Sequence, residues 1–284
     1  MKFFDLHCDT PYECYVKGLD IRDASLAAST VYSKPFEIRK QCFAVWIKDD
    51  MTAPFEFYKN AIGCFKQQLN KYCPDNLVPF FTVEGGALLE GDTERLETLS
   101  ADGIRALTLT WNGKNEIASG ALETGGLTDF GQGVIEKMNR LKIACDLSHL
   151  NRESFFYAID IAEYPFASHS ALCEINEHPR NLDREQVKEL CRHGGIIGLC
   201  FYPVFLGGGD VFEKFYRCVC ELLDAGYENN IAVGSDFDGA KQDERLCNVE
   251  KIPVLYAFLE QKGIKKTVLD KIFYKNADNF FLKL

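Results

Sequence analysis

Phe3-Phe4-Asp5-Leu6-His7-Cys8-Asp9-Thr10 is a short apolar run that ends in a His-x-Asp pair. In an extended strand side chains alternate faces, so His7 and Asp9 point one way while Leu6 and Cys8 point the other. An imidazole and a carboxylate side by side at a strand end can hold a divalent metal ion. On its own the pair is commonplace, and its meaning depends on what the rest of the chain brings to it.

Apolar runs of the same kind recur along the chain. After 3–6 they occupy 41–47, 77–84, 104–111, 142–149, 165–170, 195–202 and 231–236. They are nearly continuous rather than alternating, as in strands covered on both faces. Helix-like segments separate them at 54–72, 92–102, 131–141, 151–163, 183–193 and 211–225, followed by 253–262 and 265–273. Asn151 is placed to cap one of these helices, and Gly194-Gly195 to end another.

Eight strands alternating with helices over 284 residues predict an α/β fold, a (β/α)8 TIM barrel forming one domain over residues 1–284. The alternative is an open doubly wound sheet. No Gly-x-Gly-x-x-Gly follows an early strand, so a dinucleotide site has no support. The stretch 12–39 reads as a long loop with some helix on the face where barrels carry their chemistry.

Composition narrows the function classes. The chain is 46% hydrophobic and 26% charged, enough to build a sizeable core. A net charge of -10 leaves no basic stripe for phosphates and argues against nucleic acid as a partner. The twelve cysteines form no Cys-x-x-Cys knuckle, and Cys42, Cys64, Cys145 and Cys200 lie within apolar runs. They read as reduced packing residues of a cytoplasmic protein. Cys218-Val219-Cys220 falls on a helical pattern and reads the same way. No leader pattern opens the sequence, and no stretch approaches the ~18 apolar residues of a membrane span. No contact with a membrane is expected.

In such barrels reactive side chains project from the C-terminal ends of the strands. His7 and Asp9 end the first run and Glu84 the third. His149 ends the fifth in Asp146-Leu147-Ser148-His149, His169 stands between Ser168 and Ser170, and Asp236 lies in Gly234-Ser235-Asp236-Phe237-Asp238-Gly239. Each has an ordinary explanation as a turn, loop or packing residue. Their shared position at one end of the barrel is what argues for a site. His193, in the last turn of a helix, complements the helix dipole instead. In Glu177-His178-Pro179-Arg180-Asn181 the telling residue is Arg180, because a guanidinium grips a carboxylate at two points.

Taken in order, Asp-x-His-x-Asp-Thr, Val-Glu-Gly-Gly, Leu-Thr-Leu-Thr-Trp-Asn, Asp-Leu-Ser-His, Ser-His-Ser, His-Pro-Arg-Asn and Gly-Ser-Asp-Phe-Asp-Gly form a specific set. The chain resembles the membrane dipeptidase (renal dipeptidase) family, peptidase family M19, of the metal-dependent amidohydrolase superfamily. The resemblance runs from residue 3 to about 240 and fades after that. It implies a (β/α)8 barrel holding two zinc ions, with His7 and Asp9 on one, His149 and His169 on the other, and Glu84 bridging them. It implies hydrolysis of a dipeptide by a hydroxide shared between the zinc ions, with Asp236 passing a proton to the leaving amine. Arg180 would hold the substrate's C-terminal carboxylate, and Tyr202 would line the pocket.

The sequence departs from the family pattern at one telling place. Some members carry a histidine after the strand-four Leu-Thr-Leu-Thr, where this chain has Trp111 followed by Asn112. Either side chain can donate a hydrogen bond to substrate there, which leaves the substrate range open. Two other readings remain: the same barrel cutting a lactam, lactone or other amide, and an inactive barrel acting as a binding module. The same ligands also accept manganese or cobalt. Family members often form homodimers, but no interface is legible in the sequence.

Overall fold

The apolar runs pair as their alternation with helices predicts. The computed structural model describes residues 1–284. Eight parallel strands close into a barrel in chain order. They are β1 (Lys2–Asp5), β2 (Ile38–Trp46), β3 (Leu77–Glu84), β4 (Ile104–Thr108), β5 (Ala144–Asp146), β6 (Pro165–Ser170), β7 (Ile197–Leu199) and β8 (Ile231–Val233). Asp5 opposite Val233 closes the ring.

The helices are α1 (Thr10–Lys17), α2 (Pro54–Tyr72), α3 (Arg95–Ala101), α4 (Asp129–Leu141), α5 (Arg152–Ile161), α6 (Arg184–Arg192), α7 (Val211–Asp224), α8 (Ile252–Gln261), α9 (Lys266–Asp270) and α10 (Asn276–Phe281). Their starts are chemically marked. The Asn151 side chain accepts the Ser154 N–H at 2.8 Å. Asp183 and Gln186 form a reciprocal capping box.

Several strands stop earlier than their apolar runs. β4 ends at Thr108 rather than 111, β5 at Asp146 rather than 149, and β8 at Val233 rather than 236. At β5 the reason is visible, because the Asp146 carboxylate takes the Ser148 N–H at 3.0 Å and turns the chain out of the ladder. β1 likewise ends at Asp5, and the expected alternation does not continue. Leu6 packs with Phe4 inside the barrel, whereas Cys8 joins the layer between barrel and helices.

The stretch 12–39 is more ordered than expected. It holds most of α1, a 3₁₀ turn at Thr30–Ser33 and the start of β2. Arg39 lies buried beneath it and donates to the carbonyls of Ala28 (2.7 Å) and Ser29 (3.0 Å). Burial pushes the Arg39 pKa down to about 10.

The N-terminal end of the barrel is plugged by aromatic rings. Phe281 of α10 lies 5.3 Å from Phe4 and from Phe80, and 5.9 Å from Phe166, ring to ring. Asn276 fastens this helix by donating to the carbonyls of Glu228 and Ile231. No helix is long and apolar enough to cross a membrane.

Candidate functional site

At the opposite end of the barrel, loops of different length bring the expected polar residues together. Glu84 is the last residue of β3 and His169 lies within β6. His7 and Asp9 follow β1. His149 and Asp236 are carried by turns beyond β5 and β8, in the left-handed region at φ 71° and 58°. Non-glycine residues seldom adopt that conformation, and its cost is commonly met where geometry serves a site.

Glu84 stands at the centre, and its two oxygens face different partners. Oε2 lies 3.4 Å from His7 Nε2. Oε1 lies 2.6 Å from His149 Nε2 and 3.6 Å from His169 Nε2. Asp9 Oδ2 lies 3.6 Å from His7 Nε2. Two overlapping groups, His7 with Glu84 and His169 and His7 with Asp9 and Asp236, each bring three ligand atoms within 4.8 Å of one another. All but the half-buried Asp236 are buried.

These residues fit divalent metal, as the hydrogen bonds around the rings show. His149 Nδ1 lies 2.9 Å from the Asn112 side-chain oxygen, which only accepts, so the His149 proton is on Nδ1. His169 Nε2 lies 3.0 Å from Arg180 Nη2, which only donates, so His169 also carries its proton on Nδ1. The lone pairs of the two Nε2 atoms, 2.9 Å apart, therefore meet beside Glu84 Oε1 with no hydrogen between them. A divalent ion between them would satisfy all three acceptors at once. His7 Nε2 and Asp9 Oδ1 are buried without any hydrogen-bond partner, the mark of atoms shaped for a ligand.

The protonation balance agrees. Burial, then the Arg180 charge, pushes His149 down to about 4. Burial and His7 hold His169 well below its ordinary value. Both are thus neutral, the form that binds metal. Burial alone would raise Glu84, but His7 and His149 outweigh it and hold it low. Burial, then Asp9, pushes the Asp236 carboxyl well above the usual carboxylate range.

The groups open into a cavity of 510 Å³. On one wall Arg180 is buried, with Nε unpartnered and no carboxylate of the chain paired to it. Tyr202 stands nearby, edge-on to Phe205 at 5.1 Å. On the other wall Trp111 meets Trp46 edge-on at 5.1 Å, and Trp46 meets Tyr12 at 4.8 Å. Asn112 lines the cavity with its oxygen engaged on His149.

The structure thus gathers His7, Asp9, Glu84, His149, His169, Asp236 and Arg180 around one space, with Trp111, Asn112 and Tyr202 in its walls. Sequence reading missed Trp46, Tyr12, Asp238 and Gly239. The Asp238 carboxylate accepts Thr10 Oγ1 and the Ala27 N–H, both at 2.6 Å, and so ties the 12–39 segment to the rim. A Cβ on Gly239 would lie 2.5 Å from Asp236 Oδ1 and collide with Asp9 as well. Both belong to the Ser-Asp-Phe-Asp-Gly turn that supplied Asp236, which was the available signal.

Comparison with known proteins points the same way. A family model of membrane dipeptidases (peptidase family M19) matches residues 65–280. The match extends past the point where the motif resemblance fades and does not include His7 and Asp9. An uncharacterized protein in the pqqA 5′ region of Klebsiella pneumoniae is 32% identical over 209 residues, which cover 68% of this chain and 77% of that one. An uncharacterized dipeptidase of Schizosaccharomyces pombe is 29% identical over 205 residues, 69% of this chain but 50% of the relative, so the chain spans about half its length. A solved metallo peptidase from Rhodobacter sphaeroides, liganded with a phosphinate mimic of the dipeptide L-Ala-D-Ala, matches over 99% of both chains. Its TM-score is 0.92 at 20% identity, a likeness of fold.

Proposed function

The chain belongs to the membrane dipeptidase family, peptidase family M19, and from that premise we propose that it is a dizinc dipeptidase cutting the peptide bond of small peptides. The observation that carries this reading is the division of Glu84, with one oxygen toward His7 and the other toward His149 and His169. His7 and Asp9 would hold one zinc ion, His149 and His169 the other, with Glu84 between them. When bound, such a pair supplies Lewis acidity at the scissile carbonyl and a water acidic enough to ionise near pH 7.

The remaining groups handle the substrate. Arg180 is a buried guanidinium with its Nε unpartnered and no salt bridge to a carboxylate of the chain, suited to the free carboxylate of a dipeptide. Anchoring that carboxylate fixes the nearby peptide bond over Glu84. Asp236 faces the cavity beside Asp9 and His7 and would pass a proton to the departing amine, which must leave as a neutral group. Trp111 and Tyr202 close the two walls around substrate side chains, and the Asn112 oxygen fixes the His149 ring.

The test is reconstitution. Metal-free protein loaded with zinc should take up two equivalents and hydrolyse members of a panel of L-L and L-D dipeptides. Zinc-loaded protein that cleaves none of them would overturn the dipeptidase reading, and cleavage of a lactone or lactam instead would redirect it.

A further inference from the structure

Beneath the metal-side residues lies a polar layer that the reaction does not touch. Asp146, at the end of β5, is buried and accepts four hydrogen bonds. They come from the N–H groups of Ser148 (3.0 Å) and Ser168 (2.9 Å), and from the hydroxyls of Ser168 and Thr108 (both 2.6 Å). Four donors occupy its acceptor sites, so the group works only as an acceptor.

That fixes the direction of the next bond. The single Ser168 hydroxyl proton goes to Asp146, so its oxygen can only accept from His169 Nδ1, 2.8 Å away. Ser148 Oγ, which takes the His169 N–H at 3.2 Å, lies 3.3 Å from the same Ser168 oxygen. The ring proton is thereby required on Nδ1 from below, as Arg180 requires it from above.

We propose that Asp146 is a positioning residue that, through Ser168, holds His169 in the tautomer with its proton on Nδ1 and the Nε2 lone pair facing the site. The role rests on the metal-dependent reading of the site. His149 reaches the same tautomer by a shorter route, directly from Asn112. The two rings thus depend on different supports, and one can be disturbed without the other. A carboxylate behind a ligating histidine also raises its basicity, and loss of such a partner typically weakens metal affinity about 10–100-fold.

A purely structural role for Asp146, tying β5 to β6, makes a different forecast, and Asp146→Asn separates the two. The asparagine oxygen keeps the Ser148 and Ser168 N–H bonds, but its NH2 now faces the Ser168 hydroxyl. Ser168 must accept from it, and its own proton turns toward His169 Nδ1, which moves the ring proton to Nε2. The experiment is nitrogen-15 histidine NMR of metal-free protein together with zinc titration. In wild type His169 should show its proton on Nδ1. With Arg180→Met as the common background, which removes the donor facing Nε2, Asp146→Asn should move the proton to Nε2, and one of the two zinc equivalents should weaken about 10–100-fold relative to Arg180→Met alone while the other is unchanged. Ser168→Ala in the same background, which removes the link and keeps the carboxylate, should mix the two tautomers and weaken the same equivalent.

If Asp146→Asn in the Arg180→Met background keeps the Nδ1 proton and binds both equivalents as Arg180→Met alone does, the relay is wrong. Should that variant fail to fold, Ser168→Ala decides by the same two readouts. Wild-type protein that binds no zinc would instead overturn the metal reading, and the tautomer comparison would still judge the relay.

Discussion

Replacing Arg180 by methionine should damage catalysis and strengthen the fold. The guanidinium is 6% exposed, its Nε has no partner, and its Nη2 reaches only the ring and carbonyl of His169. Burial lowers its pKa, against the opposing pull of the Glu84, Asp236 and Asp146 charges. With substrate bound, the missing counter-ion is the dipeptide carboxylate. Removing one partner of a buried, hydrogen-bonded charge pair costs about 2–5 kcal/mol, which is a loss of roughly 30- to 5,000-fold in kcat/KM. In the absence of substrate the sign reverses. A methionine of similar length replaces an uncompensated buried charge, worth about 1–2 kcal/mol of stability, or about 2–8 °C in Tm for a chain of this size. The assay compares kcat/KM for a dipeptide and for its C-terminal amide, with thermal melts of the metal-free proteins. The dipeptide should lose its advantage while the amide is unaffected, and the variant should melt higher. An equal loss on both substrates, or a lower Tm, would refute the assignment of Arg180 to the carboxylate.

Asp236→Asn should keep both zinc equivalents, measured by elemental analysis, while kcat falls about 10²–10⁴-fold, because the amide cannot hand over the proton. Glu84→Gln should lose both equivalents on dialysis. Excess zinc should then no longer raise its Tm, whereas for wild type a thousandfold excess over Kd is worth about 4 kcal/mol. Phe281→Ala removes the ring that touches Phe4, Phe80 and Phe166 at the far end of the barrel. It should cost about 3–5 kcal/mol and about 6–20 °C in Tm, with kcat at 25 °C unchanged.

Much of this arrangement was legible in the residues, for identifiable reasons. Strands buried on both faces leave uninterrupted apolar runs, so the eight strands could be counted and their polar ends noted. Glu84 and His169 sit on strands and were placed well. His149 and Asp236 were assigned to strand ends, yet they ride on left-handed turns. Those turns depend on cross-strand bonds such as Ser168 N–H to Asp146, which no local pattern encodes. Asp238 ties down the 12–39 segment from a distant part of the chain and Arg39 from its own end, so its order was underestimated. Trp46 escaped notice because its role appears only when β2 and the loop after β4 lie side by side. Asp146 stands in the sequence only as the first residue of Asp-Leu-Ser-His, and its four donors show that it faces away from the cavity.

The phenylalanine plug has a consequence for how the protein is made. On a ribosome, Phe4, Phe80 and Phe166 emerge long before Phe280 and Phe281, which follow all eight strands. Until that last helix leaves the exit tunnel, the nascent chain carries an open mouth lined with aromatic rings. Such surface attracts chaperones and neighbouring chains alike. Strand closure through Asp5 and Val233 also has to wait, since it joins the first strand to the eighth. A message cut short before codon 276 would therefore yield all the metal-side residues and still produce a sticky, unfinished vessel.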